Sequence, residues 1–233
     1  MGFFWKSVLI VFLCVGMAFK GFAQFPQDSI KSYIPKLSLA VLPSGWIDPF
    51  HAVLGIRADF RPSSTMPMAI GLEMGALLPR FREENPENPL KFKNGILVKP
   101  ALRYYYTGDP KEGMLFAELQ GMYKFMATDY EDWVLFDLPS GAGSYERFSK
   151  IGLRHSVYGL NVLMGVKSNI SKKKKNLFFE LFGGTGIRYR DFTMDQLPEN
   201  GTIRDIESDS PGNFISRGWR LSIQGGIRFG WNF

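Results

Sequence analysis

From Arg217 to Phe233 the chain alternates without a break, and that alternation restricts the fold more than any other feature. Trp219, Leu221, Ile223, Gly225, Ile227, Phe229, Trp231 and Phe233 share one parity. Arg220, Ser222, Gln224, Gly226, Arg228, Gly230 and Asn232 share the other. Side chains on a strand point to opposite faces in turn, so one face is apolar and aromatic and the other is polar, basic or glycine. A sandwich strand in water alternates too, but rarely so cleanly for this length, and rarely to a terminal exposed aromatic. A strand that crosses a membrane needs about 9–11 residues with lipid-facing apolar side chains alternating with polar ones. This segment meets that requirement.

The same alternation recurs upstream. Leu37, Leu39 and Val41 alternate with Lys36, Ser38 and Ala40 before Pro43-Ser44-Gly45 breaks the run. Leu54, Ile56, Ala58 and Phe60 oppose Gly55, Arg57, Asp59 and Arg61, and Pro62-Ser63-Ser64-Thr65 predicts a tight turn. Met68, Ile70, Leu72, Met74, Ala76 and Leu78 oppose Gly71, Glu73 and Gly75. Arg80–Asn94, charged and carrying two prolines, predicts a loop. The next strand sets Ile96, Val98, Pro100, Leu102, Tyr104 and Tyr106 against Lys99, Ala101 and Arg103. Pro100 is a blemish there, because proline donates no ladder hydrogen bond. After a short turn, Leu115, Ala117, Leu119, Gly121, Tyr123 and Phe125 oppose Glu118, Gln120 and Lys124.

Ala127–Ser149 predicts a long excursion whose flanks, including Trp133 to Leu138, extend the hairpin. The following strand changes parity near His155, from Ile151 and Leu153 to Tyr158, Leu160, Val162, Met164 and Val166. A β-bulge produces such a change. Beyond the lysine turn at Lys172–Lys175, Leu177, Phe179, Leu181, Ile187 and Tyr189 oppose Glu180, Arg188 and Arg190, with Phe178 and Phe182 on the polar face. Asp191–Ser216 predicts the longest loop. The count is about eight strands, with tight turns after the second, fourth and sixth and long loops after the third, fifth and seventh. Transmembrane barrels combine short periplasmic turns and long outer loops in this way. Tyr104, Tyr106, Phe60, Trp231 and Phe233 fall near one interface, and Trp219, Tyr123 and Phe125 nearer the other.

Over 233 residues the mean hydropathy is −0.08, as expected when apolar and polar faces dilute each other. The one long apolar run, Val8 to Phe19, follows Lys6 and precedes Gly21-Phe22-Ala23. It reads as a secretory signal peptide over residues 1–23 and falls short of the roughly 20 residues of a spanning helix. Residues 24–35 read as a periplasmic lead-in and 36–233 as the barrel. The only cysteine, Cys14, lies in the leader, so the mature chain has no thiol chemistry or cysteine metal site. A formal net charge of +6 and a pI near 9.3 give an exported protein little reason to meet nucleic acid.

Ending on Phe229, Trp231 and Phe233, the chain resembles the small eight-stranded outer-membrane barrels of Gram-negative bacteria, OmpA- and OmpX-like. The resemblance implies an all-β, up-and-down antiparallel transmembrane barrel in the outer membrane, among lipids and lipopolysaccharide. It also implies that those three residues are the signal read by the barrel-assembly machinery.

An eight-stranded interior is just wide enough for side chains to fill it. Arg57, Asp59, Glu73, Lys99, Arg103, Glu118, Lys124, Glu180, Arg188, Arg220 and Arg228 face inward by parity, and buried charges require partners. The expectation is a structural lumen network, with a narrow pore as the alternative. Catalysis has one candidate. His155 and Ser156, with Glu180 on the neighbouring strand, are the residue types of an acyl hydrolase, but adjacent residues on a strand point apart. The chain departs here from lipid A deacylase barrels, whose His and Ser stand two apart on one face. Gly183-Gly184-Thr185-Gly186 is similar to a phosphate loop but no lysine follows at the required offset. Asp205, Glu207 and Asp209 have calcium-loop spacing without the glycine or the closing acid. The sequence therefore predicts no cofactor, no metal and no catalysis. It leaves a structural or surface-interaction role through the outer loops, with an envelope or extracellular protein as the possible partner.

Overall fold

A computed structural model of the chain describes residues 35–43, 52–63, 66–78, 90–109, 113–137, 143–170, 176–195, 201–202 and 217–233. The leader, all of the lead-in but its last residue, Lys172–Lys175 and Asp205–Asp209 lie outside them. The strands are β1 (Leu37–Val41), β2 (Ala52–Phe60), β3 (Met68–Leu78), β4 (Leu90–Asp109), β5 (Gly113–Asp137), β6 (Ser144–Asn169), β7 (Leu177–Asp195), β8 (Gly201–Thr202) and β9 (Gly218–Asn232). No helix occurs among the described residues. From β1 to β7 each strand pairs antiparallel with the next, and β9 pairs with both β7 and β1. Eight strands therefore close into a ring. The two-residue β8 lies on Leu135 and Phe136 of β5, past the point where β4 pairing ends at Tyr130.

The register fixes the shape of the ring. From Phe229, the hydrogen-bonded partners run through Val41, Ile56, Met74, Val98, Tyr123, Tyr158 and Tyr189 to Trp219, ten residues along β9 from the start. Ten residues at about 3.3 Å over eight strands about 4.8 Å apart tilt the strands by roughly 40° and give a backbone radius of about 8 Å. β1 begins and β9 finishes at one end of the ring, the terminal end. Phe233 donates its N–H to the carbonyl of Leu37 there, at 2.8 Å. The opposite, loop end is where β1, β3, β5 and β7 finish. β5 and β6 are 25 and 26 residues long and rise well past their neighbours at that end.

Several boundaries differ from the sequence expectation. β4 begins at Leu90, inside the loop expected at Arg80–Asn94. Most of Ala127–Ser149 is paired hairpin, from Asp129↔Gly152 to Asp137↔Ser144. β7 continues to Asp195, into the loop expected from Asp191.

Sidedness is as read on β1, β2, β3 and β9. Ile223 is 89% exposed and Leu221 77%, on the outside, while Arg57 and Arg228 are buried inside. β6 corrects the reading, because its register with β5 and β7 runs through His155 with no bulge. Ile151, Leu153, His155 and Val157 all lie on its inner, buried side. The bulges are in β4, between Phe92 and Asn94 and between Tyr105 and Thr107. The second inserts Tyr106, so Tyr106 is buried (7% exposed) instead of following Tyr104 outward. The β4–β5 ladder also lapses at Lys99 and Pro100. Gly121 stands against the proline ring, where a Cβ would meet Pro100 Cγ at 3.3 Å.

Candidate functional site

Parity places at least one charged or polar side chain inside the ring from each of the eight strands, and these meet in one cluster toward the terminal end. Arg57 lies at its centre. Its guanidinium donates to Asp59, two residues along the same strand, at 2.6–3.0 Å, and to both carboxylate oxygens of Glu118 at 2.8 Å. Arg103 donates through Nε to Glu118 at 2.8 Å and through NH1 and NH2 to the two oxygens of Glu180 at 2.7 and 3.0 Å. Arg228 reaches Glu180 at 3.2 Å and Glu73 at 3.3 Å. Lys99 pairs with Glu73 at 2.9 Å. Lys167 donates to Ser38 Oγ on β1 at 2.9 Å and lies 4.0 Å from Glu180. Gln120 and the Tyr105 hydroxyl complete the cluster on Glu118 and Arg103.

Five cations (Arg57, Lys99, Arg103, Lys167, Arg228) thus face four carboxylates (Asp59, Glu73, Glu118, Glu180). Arg57, Arg103, Arg228, Lys167 and Glu180 are buried, with 0–1% exposed. Desolvating so many charges is tolerable only because the arginine forks and the carboxylates match each other in geometry, which charge-assisted, bidentate bonds provide. Gly71 makes room for the tightest pair. A Cβ there would collide with the Asp59 carboxylate and the Arg57 guanidinium.

Phe178 and Phe182, the aromatic residues on the polar face of β7, belong to this cluster together with Phe116 of β5. Phe116, Phe178 and Phe182 point inward and are buried. Arg103 lies 3.9 Å over the ring of Phe116, Lys167 3.7 Å over Phe178 and Arg228 3.8 Å over Phe182. Each ring covers one face of a cation and attracts it, worth ~0.5–2 kcal/mol where water is excluded. Ala69, Tyr105, Met114 and Leu163 pack around them. The ring interior is therefore solid at this level.

Eight of the eleven inward residues read from the sequence are in this cluster. Lys124, Arg188 and Arg220 also point inward but lie nearer the loop end and are half-buried. Lys167 was missed, although its parity, opposite to Tyr158, Leu160 and Met164, marks it as inward. Phe229, Trp231 and Phe233 line the outer face of β9, all exposed.

The candidate catalytic set does not converge. His155 points inward, its ring 5.0 Å from that of Phe192, while Ser156 takes the outward parity. Glu180 pairs with Lys167, twelve residues down β6 from His155, or roughly 40 Å of strand. Gly183–Gly186 lies within β7, with no phosphate-loop turn.

Outside, polarity changes along every long strand. Passing toward the loop end, the outward residue after Trp219 is Arg217, after Tyr189 Asp191, and after Tyr158 Ser156 and then Arg154. After Phe125 and Ala127 come Asp129 and Glu131. Tyr123 packs tilted against Tyr158, with ring centroids 5.3 Å apart, and Tyr189 tilted against Trp219, also at 5.3 Å. Allowing for the stagger, Trp219, Tyr189, Tyr158, Phe125, Ile96 and Leu78 lie within about three residues of one plane across the ring axis. Beyond that plane the inside is apolar, with Tyr130, Phe136, Ile151 and Leu153 packed against Phe192 and Met194. The outside there carries Lys93–Asp129 at 2.7 Å, Lys150–Asp129 at 2.9 Å, Lys150–Glu131 at 2.8 Å, Lys91–Glu131 and Arg217–Asp191 at 2.6 Å. Comparison of the chain with protein-family models, curated proteins and solved structures gives no match.

Proposed function

We propose that this chain is an eight-stranded transmembrane β-barrel of the Gram-negative outer membrane, closed to ions by its charged plug and acting through its loop end as a structural or surface-interaction protein. The carrying observation is the reversal of polarity at the aromatic plane. Below it the outside is apolar and the inside charged; above it the outside is charged and the inside apolar. A sheet wetted along its whole length has no reason to reverse. A sheet leaving a bilayer must, because outward residues exchange acyl chains for water.

The dimensions support the same reading. Trp219 and Trp231, twelve residues apart on β9, are separated by about 40 Å of strand, or roughly 30 Å along the axis at the tilt given by the register. That is about the thickness of the hydrocarbon core. Phe60, Tyr104, Phe179, Phe229 and Trp231 form the aromatic fringe at the terminal end, which this reading sets on the periplasmic side. Lipids and lipopolysaccharide then contact the band, and the barrel-assembly machinery reads the strand ending in Phe233.

Gel migration of the membrane fraction with and without boiling tests the proposal. A folded barrel runs differently from the boiled chain. Recovery in the soluble fraction without detergent, or identical migration, would overturn the membrane reading. In planar bilayers the plug predicts no steady current, and a sustained open conductance would contradict the closed interior.

A further inference from the structure

Between the plug and the apolar cap the interior turns one-sidedly basic. Arg188 and Arg190 on β7, Arg220 on β9 and Lys124 on β5 all take inward parity and are half-buried, within reach of water. Arg188 and Arg220 are direct cross-strand partners. Lys124 pairs with Val157, which in turn pairs with Arg190. Among the described residues the inward positions at this level hold no carboxylate, and Asp191 faces outward to Arg217. The β2–β4 side of the same level presents Val53, Leu77 and Leu97 with Met126 of β5. Lys124, Arg188 and Arg220 interact with other groups of the chain. What marks the place is the sum of charge, four cations here against a near balance in the plug.

Like charges directly opposite across a strand pair destabilise it, so a sequence with no use for Arg188 facing Arg220 would gain by changing one of them. His155 registers the same field. It stands beyond the aromatic plane, and burial first, then the Arg190 and Lys124 charges, push its imidazole down to about 4. Three guanidinium forks and an ammonium brought to one level of the interior suit an oxyanion that accepts several pairs of hydrogen bonds. We propose that the loop-end interior of the ring binds a soluble polyvalent oxyanion, a phosphate or sulfate ester, on Arg188, Arg190, Arg220 and Lys124. The ligand is soluble because these positions face the axis, whereas a phosphate anchored in the leaflet meets the outward face.

The test is calorimetric titration of inorganic tripolyphosphate into the full chain folded in a non-ionic detergent. The expected dissociation constant is below about 1 mM and rises with added salt. Arg188→Gln with Arg220→Gln weakens binding by about tenfold or more, while Arg217→Gln, on the outward face, leaves it unchanged. If that double variant does not migrate as a folded chain, Arg190→Gln is read in its place and is expected to weaken binding as well. No binding by the folded wild type, or equal binding by the inward variants, overturns the proposal. Displacement of tripolyphosphate by a phosphorylated glycolipid in the micelle overturns the assignment to a soluble ligand. The site requires only the closed ring, so membrane insertion and anion binding can fail independently.

Discussion

Below the aromatic plane and above it, the same strands solve opposite problems. On β6, Tyr158, Leu160 and Met164 face out and Lys167 faces in, while farther toward the loop end Lys150 and Arg154 face out and Ile151 and Leu153 face in. Along β6 the alternation itself never slips. On the proposed membrane reading, what changes is the solvent on the outside, and each face follows its solvent. The lower half is held inside by matched charges and the upper half by apolar packing, so the two should break under different substitutions.

The largest expected effect is in the lower half. Glu118→Ala removes the carboxylate shared by Arg57 and Arg103 and should cost about 3–5 kcal/mol, because two buried guanidinium groups lose a partner. Urea unfolding in lipid vesicles measures it; a loss under 1 kcal/mol would show that water enters the cluster. A matched pair then sharpens the contrast. Leu153→Ala, in the upper apolar interior, should destabilise by about 2–5 kcal/mol, whereas Leu221→Ala, on the outer face of the band, should stay within about 0.5 kcal/mol. Amide hydrogen exchange on β6 and β9 reads the two separately, and equal effects would erase the distinction between the halves.

Ile223→Arg sets a charge on the band near its middle and should cost roughly 2–4 kcal/mol in a bilayer. The same unfolding measurement would reveal a harmless arginine there, which the membrane reading does not allow.

The smallest effect concerns pH and the outer charges above the plane. At Asp129 burial opposes ionisation, but hydrogen bonds from Lys93 and Lys150 outweigh it and hold the carboxyl below its usual value. Hydrogen bonds from Lys150 and Lys91 do the same for Glu131. The stabilisation from these depressed groups is present above the ordinary carboxylate range and is lost as pH falls through their lowered values. Lys150 is raised by Glu131 first and then by Asp129, so its contribution is present below the ordinary lysine value and is lost as pH rises above it. Between those limits exchange at Gly152 and Ser149 should be flat with pH, apart from the intrinsic base-catalysed trend. A midpoint near neutrality would mean that other groups govern this end.

The sequence reading succeeded where one rule sufficed. Parity alone placed Arg57, Asp59, Glu73, Arg103, Glu118, Glu180 and Arg228 inside, since strand geometry leaves no other choice. It failed at Ile151 and Leu153 because the apolar parity was equated with the outside along the whole strand, and a bulge was then required to keep the equation true. On the proposed membrane reading, nothing local marks where a strand would leave the bilayer except the charges that begin at Arg154. Tyr106 was misread because an inserted residue shows only in the partner strand's register. The roles of Phe116, Phe178 and Phe182 were illegible for a related reason. Each covers a cation brought close by folding, and periodicity along one strand carries no information about that neighbour.

The pairing of the plug's charges has a consequence for how the chain would insert in the proposed membrane setting. Lys99 and Glu73, Arg103 and Glu118, Lys167 and Glu180, and Glu180 and Arg228 are direct partners across neighbouring strands, while Arg57 and Asp59 share one strand. Every ion therefore has a counter-ion within its own hairpin or beside it before the cylinder shuts. The contacts that span the bore, Arg57 to Glu118, Arg103 to Glu180 and Arg228 to Glu73, arise on closure. In the proposed membrane setting two adjoining ribbons can thus enter the hydrocarbon as a nearly neutral unit, and sealing the seam adds distant partners to the neighbouring ones without exposing a bare charge.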